Sequence, residues 1–509
     1  MEINGNKFVI KFIFPKSKFE AIEQLIISKG GCRRQHLHFA YIDTPNFLLK
    51  KAGVEFFLRK EGCQWVQTLK IDTDNSIATF EHDVICKVFN GIAPNWDLDL
   101  HLQSESGSFF KKRLPKFKVQ ELQICYQANI WRRKASIKCR NGVIQYVLDK
   151  GSISYYLPHR PSKDSIQECK IELIKGDPRN VLAHANKMIK SYGAFIDTHS
   201  NAERIYLLAG GTGFSNPVNS KCMVLKSAGN KYNIITFLIN SCMNQVLANQ
   251  SALNAERQNY SEYLHQLRIG LRRLKVLFKY LAKHNLHVSD KGMATFKSVF
   301  SILGRYRNND YVVNVLNPTL LSLGSSKIEL DDITGLPNPA YITRDRDFQL
   351  LLIELLSFGF SKTTPIVQSA AGQNNKKGIA IIEKTLIKLL NSRFQFLTNR
   401  ASQFSKLRDE EIHLMRKKMK FIRYSLEFFK SCCIKKFYPN FYKAIATTLD
   451  NFGLFNDICV TIERIDGAAP NDSNLLFAIE WLKLKRKRVR ILCEKSLKKM
   501  VRISIPWKS

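Results

Sequence analysis

A histidine followed by cations three, seven and ten residues later occurs twice in this sequence. The first copy is His265, Arg268, Arg272 and Lys275, with Arg273 beside them; the second is His413, Arg416, Lys420 and Arg423. At 3.6 residues per turn these positions fall within an arc of roughly 80° on one helix face, so each copy makes a cationic stripe. Like charges stacked at this spacing destabilise an isolated helix by about 0.2–0.5 kcal/mol per pair. A polyanionic ligand would relieve that repulsion, and a solvated surface face is the plainer alternative. The chemistry on offer is anion binding, with two histidines that either add charge in mild acid or orient their neighbours.

The elements that carry the stripes are helices. From about Lys231 onward apolar residues recur at helical spacing, over Ile234 to Leu281, Phe296 to Leu303, Phe348 to Leu356, Lys376 to Leu397, Glu410 to Lys430, Tyr442 to Leu449 and Leu475 to Val501. The two histidines are 148 residues apart. A second element, Leu303-Gly304 with Arg307, Asn308 and Asp310, returns as Phe452-Gly453 with Asn456 and Asp457, at a glycine-to-glycine offset of 149. Two element pairs that keep one spacing point to an internal duplication, with repeats at about 231–330 and 376–509. The expected product is a pair of helical bundles whose stripes face one shared groove.

The first 208 residues read differently. Phe8 to Phe14, Val54 to Arg59, Trp65 to Ile71, Ala78 to Cys86, Ile130 to Cys139, Val143 to Leu148 and Glu168 to Ile174 are β-rich runs, broken by turn signals such as Asp72-Thr-Asp74, Arg140-Asn-Gly142 and Lys175-Gly-Asp177. Phe19 to Lys29 and Pro178 to Tyr192 have helical periodicity. The fold expected here is α+β with a mostly antiparallel sheet, and residues 209–230, containing the Gly/Ser/Pro cluster at 209–217, read as a linker. Glu81 and Asp83 share one strand face; Glu168 and Glu172 share another.

The chain has 509 residues and a net charge of +36, from 79 Lys and Arg against 43 Asp and Glu, with 45% hydrophobic residues. This describes a folded protein of two to four domains with an acidic partner: nucleic acid, an anionic membrane or a polyphosphate-type anion. Twelve cysteines without a Cys-x-x-Cys pair suggest neither a zinc site nor a disulfide framework. The N-terminal apolar run is interrupted by Lys11, and Leu350 to Phe360 is too short to span a bilayer, so a soluble cytoplasmic protein is expected. The dense basic run from Lys483 to Arg490 reads as a solvated helix face, a further part of the anion groove, or a nucleic-acid or membrane patch.

Taken with these motifs the sequence resembles the CYTH-CHAD proteins, in which a triphosphate-tunnel domain is joined to a conserved-histidine α-helical domain. In the second half the resemblance rests on the doubled stripe and the glycine elements after it. In the first half it rests on Tyr41-Ile-Asp43-Thr44-Pro45, Leu58-Arg59-Lys60-Glu61 with Trp65, Thr68 and Lys70, Leu148-Asp149-Lys-Gly151, Glu172 to Asp177, and Asn201-Ala-Glu203-Arg204. The resemblance implies an antiparallel β-tunnel whose lumen sorts Lys and Arg for phosphates and acids for Mg²⁺ or Mn²⁺, and basic helices that hold inorganic polyphosphate, with polyphosphate granules as a candidate location. Lys11, Arg59, Lys70 and Arg132 are then the phosphate candidates, and Glu81, Asp83 and Glu172 the metal candidates. The chain departs from the pattern on its first strand. Lys7-Phe8-Val9-Ile10-Lys11 keeps the cation of Glu-x-Glu-x-Lys and loses both acids, while an offset reading onto Glu2 has the wrong spacing; Phe57 stands where an Arg is usual, and Gln145 where a Glu is usual. A hard divalent cation needs several carboxylate oxygens, so the expectation is a weakened or absent triphosphatase beside a polyphosphate-binding module. An active inorganic triphosphatase is the alternative, and nucleic-acid binding a third reading.

Overall fold

The computed structural model describes residues 6–31, 33–72, 78–86, 94–115, 117, 119–157, 160–201, 203, 217–220, 231–255, 260–328, 335–360, 374–466 and 473–507. The proposed linker is described only at 217–220, and Glu2, Asp74 and Arg204 lie outside the described residues. These residues group into two compact units. One comprises Met1–Asn219, Met243–Leu267 and Pro339–Phe360; the other comprises Ser220–Cys242, Arg268–Asn338 and Ser361–Ser509.

The first unit is built on antiparallel strands: β1 (Asn6–Ile13), β2 (Gln35–Asp43), β3 (Val54–Glu61), β4 (Gln64–Asp72), β5 (Ala78–Cys86), β6 (Gln123–Cys139), β7 (Gly142–Leu157), β8 (Arg160–Gly176) and the short β9 (Phe195–Ile196). They lie in the order β5-β4-β3-β2-β6-β7-β8-β1-β9, and β1 also pairs with β5. That second pairing closes β1 to β8 into a barrel and abolishes two free edges. The strand-rich α+β expectation is met, and β6, β7 and β8 run well beyond the segments marked by alternation alone.

Alternation divides each strand between lumen and outer face. Ile10, Phe12, Tyr146, Leu148, Cys169 and Ile171 are buried on the outside. Helix α1 (Phe19–Ser28), the single turn α2 (Leu48–Lys51) and α3 (Glu105–Arg113) flank the barrel. Helix α4 (Arg179–Tyr192) packs against β1, β7 and β8 with Val181, Leu182, Ala185, Met188 and Ile189 buried. A second outer cluster joins Phe56, Leu58, Leu69 and Ile71 to Leu98 and to Phe110 of α3. Helical residues from beyond position 243 belong to this unit because they satisfy its last strand. Gln349 Oε1 accepts from the Ile196 amide at 2.8 Å, and Gln250 Nε2 donates to the Ile196 carbonyl at 2.7 Å.

Beyond residue 231 all regular structure among the described residues is helical: α5 (Lys231–Asn254), α6 (Tyr260–Ala282), α7 (Asp290–Tyr311), α8 (Asn317–Ser322), α9 (Pro339–Arg344), α10 (Arg346–Ser357), α11 (Asn374–Ala401), α12 (Asp409–Phe428), α13 (Tyr438–Asp466) and α14 (Ser473–Val501), with short 3-10 and π turns between them. No helix of the described residues is long and apolar enough to cross a membrane. Within the second unit α6 and α12, which carry the stripes, pack directly. Tyr280 stacks on Phe421 with centroids 5.6 Å apart and donates its hydroxyl to Ser425 Oγ at 2.9 Å. Asp409, Glu410 and Glu411 fill the first turn of α12, where carboxylates offset the positive end of the helix dipole.

Candidate functional site

Two places in the molecule gather charge, and the first is the barrel lumen. Arg132 of β6 makes a bidentate pair with Asp149 of β7, Nε at 2.6 Å and Nη2 at 2.8 Å. Lys170 of β8 reaches Asp149 at 3.1 Å and Glu168 at 2.9 Å. Lys11 lies 3.0 Å from Asp197 and 3.6 Å from Glu168, and donates to the His199 carbonyl. Asp149 is fully buried and Glu168 is 1% exposed. Burial opposes the ionisation of Asp149, but Arg132 and Lys170 outweigh it and hold the carboxyl below its ordinary value. Nearer the β3–β5 wall, Arg59 pairs with Glu61 and lies 3.6 Å from Asp83, and Lys70 pairs with Glu55 at 3.1 Å.

All four phosphate candidates therefore carry an internal counterion. The lumen is short of the first-strand acids, as the sequence indicates, yet it has not lost its negative charge. Glu55, Glu61, Asp149, Glu168 and Asp197 neutralise the cations from other strands and from the segment after β9. Phe57 joins Phe39, Tyr41 and Tyr126, with Tyr41 5.1 Å from Phe57 and 4.4 Å from Tyr126. These rings are buried in one cluster with Ile130, Ile153, Tyr155 and Ile166, which fills part of the lumen with apolar side chains. Burial and the nearby Glu55 push the Tyr41 hydroxyl up to about 12.

The metal candidates do not come together. Asp83 accepts from Thr68 Oγ1 at 2.6 Å, Glu81 sits opposite Lys70 in the β4–β5 register, and Glu172 stands across the barrel between Val9 and Gln145. Among the described residues no three His, Cys, Asp or Glu side chains are grouped so as to hold a metal ion. Asp83 is engaged by Thr68 and Arg59 and Glu172 lies on a different wall, so the three candidates do not converge on one Mg²⁺ or Mn²⁺.

The second gathering is where α6 meets α12. Arg272 lies close enough to Arg268, Arg416 and Lys420 to help depress the protonation of all three. Lys275 faces Lys417 and Lys297, and Lys279 faces Arg393 and Lys418. Burial, then Arg272, Arg307 and Arg416, push Arg268 down to about 9; burial and Arg272 push Arg416 down to about 10. Lys420 is held well below its ordinary value by burial and by Arg272, Arg416 and Arg268. Among the described residues Arg268, Arg272, Lys275, Arg416 and Lys420 make no ion pair. Asp310 and Asp457 act on Arg268 and Arg416 from a distance, and the Nε of Arg416 is buried without a hydrogen-bond partner. The ring of Phe300 supports one edge, with Arg268, Arg272 and Lys275 at 5.2, 6.0 and 5.1 Å.

The repeated glycines now have a physical role. A Cβ on Gly304 of α7 would stand 3.0 Å from Arg268 Nη1, and one on Gly453 of α13 would stand 3.9 Å from Arg416 Nη2. Each stripe thus lays its first arginine over a glycine of the next long helix, which is why stripe and glycine recur together. The two histidines do not act as simple cations. His413 Nδ1 lies 2.6 Å from Asn456 Oδ1, and burial followed by Lys417 lowers its proton affinity. It is neutral at pH 7 and orients Asn456. His265 lies one turn before Arg268 on α6.

Two of the candidate cations are placed apart from the crowd. Arg273 is completely buried, its guanidinium 5.1 Å from the Phe428 ring and 3.4 Å from Ser241 Oγ, so it packs the α5, α6 and α12 core. Arg423 pairs with Glu427 at 3.4 Å, next to Tyr442. Sequence reasoning passed over Arg393, Lys279 and Lys417, which continue the positive surface. The last two were legible from helical spacing, Lys279 four residues after Lys275 and Lys417 four after His413; Arg393 comes from α11 and had no local signal.

Residues 238–466 match the family described as the CHAD domain. No curated protein sequence matches the chain. Among solved structures the CHAD domain from the plant Ricinus communis is similar over 57% of this chain and 98% of its own, at 19% identity and a TM-score of 0.45. A candidate adenylate cyclase from Bacillus halodurans is similar over 40% of this chain and 99% of its own, at 17% identity and a TM-score of 0.28. A candidate adenylyl cyclase from Hippeastrum, described as having a dominant triphosphatase activity, is similar over 41% of this chain and 96% of its own, at 11% identity and a TM-score of 0.25.

Proposed function

We propose that the helical half binds inorganic polyphosphate along the groove between the two stripes, and that the barrel does not hydrolyse phosphoanhydrides. The observation that carries this reading is the set of five cations, Arg268, Arg272, Lys275, Arg416 and Lys420, gathered without an ion pair among the described residues. Held there by the fold, they repel one another until an anion with closely spaced charges enters, and the anion releases its counterions as it does so. The match of residues 238–466 to the CHAD domain supports the same ligand. For the barrel, the support is negative charge already matched within the lumen, a ring cluster filling part of it, and a carboxylate set that does not suit Mg²⁺ or Mn²⁺. A location at cytoplasmic polyphosphate granules follows from the ligand.

The test is the affinity of the purified chain for polyphosphate of defined length across a salt series. Replacing Arg268, Arg272, Arg416 and Lys420 together by alanine is expected to weaken binding at least about a hundredfold and to flatten the salt dependence by up to about four charges. Unchanged binding by that variant would remove the groove as the site. Long-chain polyphosphate should displace RNA or DNA far more readily than either displaces it; the reverse order would favour the nucleic-acid reading. Phosphate release from tripolyphosphate with Mg²⁺ or Mn²⁺, abolished by Glu81→Gln or Glu172→Gln, would restore the triphosphatase.

A further inference from the structure

The basic run near the end of the chain is not a single surface. Arg486 and Arg490 turn inward to Asp409 at 3.2 and 3.1 Å, and Lys485 lies 4.3 Å over the Trp481 ring. Lys483, Lys487 and Arg488 remain exposed, as do Lys495 and Lys499 further along α14. On the same side of the helix Leu476, Phe477, Leu484, Ile491 and Leu492 are 45–58% exposed. At 100° per residue all ten share one half of the helix circumference. Phe477, Leu484 and Ile491 recur every seven residues and form a ridge about 21 Å long with cations interleaved and beyond it. The exposed carboxylate on this face, Glu480, is taken by Lys483 at 2.8 Å.

We propose that this outer face of α14 docks the protein on an anionic lipid surface. A helix lying in the plane of a bilayer needs aliphatic and aromatic side chains that enter the headgroup boundary, with lysine and arginine beside them to reach the phosphates. The α14 face has both in one strip, and Lys487, Arg488, Lys495 and Lys499, with Lys483 beside Glu480, complement a negatively charged leaflet. A second copy of the chain is a poor occupant, because ridge against ridge also sets five cations against five. Polyphosphate and nucleic acid would use the cations and leave the leucine and isoleucine ridge in water. Exposed apolar side chains in a continuous row mark a contact surface more often than chance exposure does.

Sedimentation of the full chain with sucrose-loaded vesicles tests this. Vesicles of phosphatidylcholine with about one third phosphatidylglycerol should carry the protein down at low salt, and pure phosphatidylcholine should not. Leu484→Gln with Ile491→Gln, and separately Lys487→Glu with Arg488→Glu, should each lower partitioning at least about tenfold while polyphosphate affinity stays at the parent level. Arg272→Ala with Lys420→Ala should keep the vesicle binding. Equal binding to neutral vesicles, no loss in either α14 variant, or loss in the groove variant would overturn the proposal, the last by showing that anionic lipid merely occupies the groove.

Discussion

The barrel lumen and the helical groove use the same side chains, arginine and lysine, and leave them in opposite states. In the lumen Arg132, Lys170 and Lys11 face Asp149, Glu168 and Asp197, and the buried charges cancel inside the fold. In the groove Arg268, Arg272, Arg416 and Lys420 face one another, and their nearest carboxylates, Asp310 and Asp457, make no ion pair with them. A cation with an internal counterion is part of the architecture; one held without a counterion is a site waiting for its partner. Charge count alone does not distinguish the two, because a family of tunnel cations can survive in sequence after its acids have claimed them.

This contrast can be broken most forcefully in the lumen. Arg132→Ala removes the bidentate partner of the buried Asp149 and leaves it to Lys170, which is shared with Glu168, and the expected loss is about 2–3 kcal/mol of unfolding free energy in urea titrations. The folded fraction should keep its polyphosphate affinity; a loss of affinity with stability intact would make Arg132 a ligand contact instead. The groove should respond in the other direction. Lys420→Met is expected to raise the unfolding free energy of the ligand-free protein by about 0.5–1 kcal/mol, read as a small rise in melting temperature, and to weaken polyphosphate binding. A destabilised Lys420→Met would contradict the picture of unrelieved repulsion.

Proton linkage sharpens the same point. Lys420 is depressed below its ordinary 10.5 by burial and its cationic neighbours, so the folded protein holds fewer protons than the unfolded chain. Its stability should rise with pH through the window from the depressed value up to 10.5. An anion reverses the contribution of Arg272, Arg416 and Arg268, so binding should take up a proton in that window and weaken as pH rises. Calorimetry in buffers of different ionisation enthalpy reads this directly, and proton release would contradict it. The smallest effect is expected at the glycines: Gly304→Ala presses on Arg268 at 3.0 Å and should cost polyphosphate affinity several-fold, whereas Gly453→Ala at 3.9 Å should be nearly neutral.

Much of this was legible before any coordinates, and the gaps have definite causes. The doubled stripe placed the groove because helix faces repeat locally, over a few turns of one segment. The same arithmetic could not show that Arg273 points into the core, since a sequence does not say which arc of a helix is covered by another. Strand β2 was missed because Ala40 and Ile42 are buried along with Phe39 and Tyr41, so the strand shows a run and not an alternation. Helix α3, with its Ser104 cap donated to by the Gly107 amide, is too polar to show a strong periodicity. Glu55 and Glu61 could have been found, as they share the face of Phe57 and Arg59 on β3. Asp197 could not: it meets Lys11 only after the whole barrel has closed between them.

The clasp at Asp409 bears on when the groove comes into being. Asp409 opens α12, and its partners Arg486 and Arg490 follow it by 77 and 81 residues. Trp507, later still, donates to Asn391 at 2.6 Å and packs on Phe394 and Phe441. During synthesis the stripe on α6 leaves the ribosome long before the stripe on α12, and the helix bearing the second one is fastened by Arg486 and Arg490 from the middle of α14. A nascent chain of this charge, surrounded by ribosomal RNA, thus completes its cationic cluster only after Arg486 and Arg490 have emerged, and a product truncated before Arg486 would contain every groove residue without the clasp at Asp409.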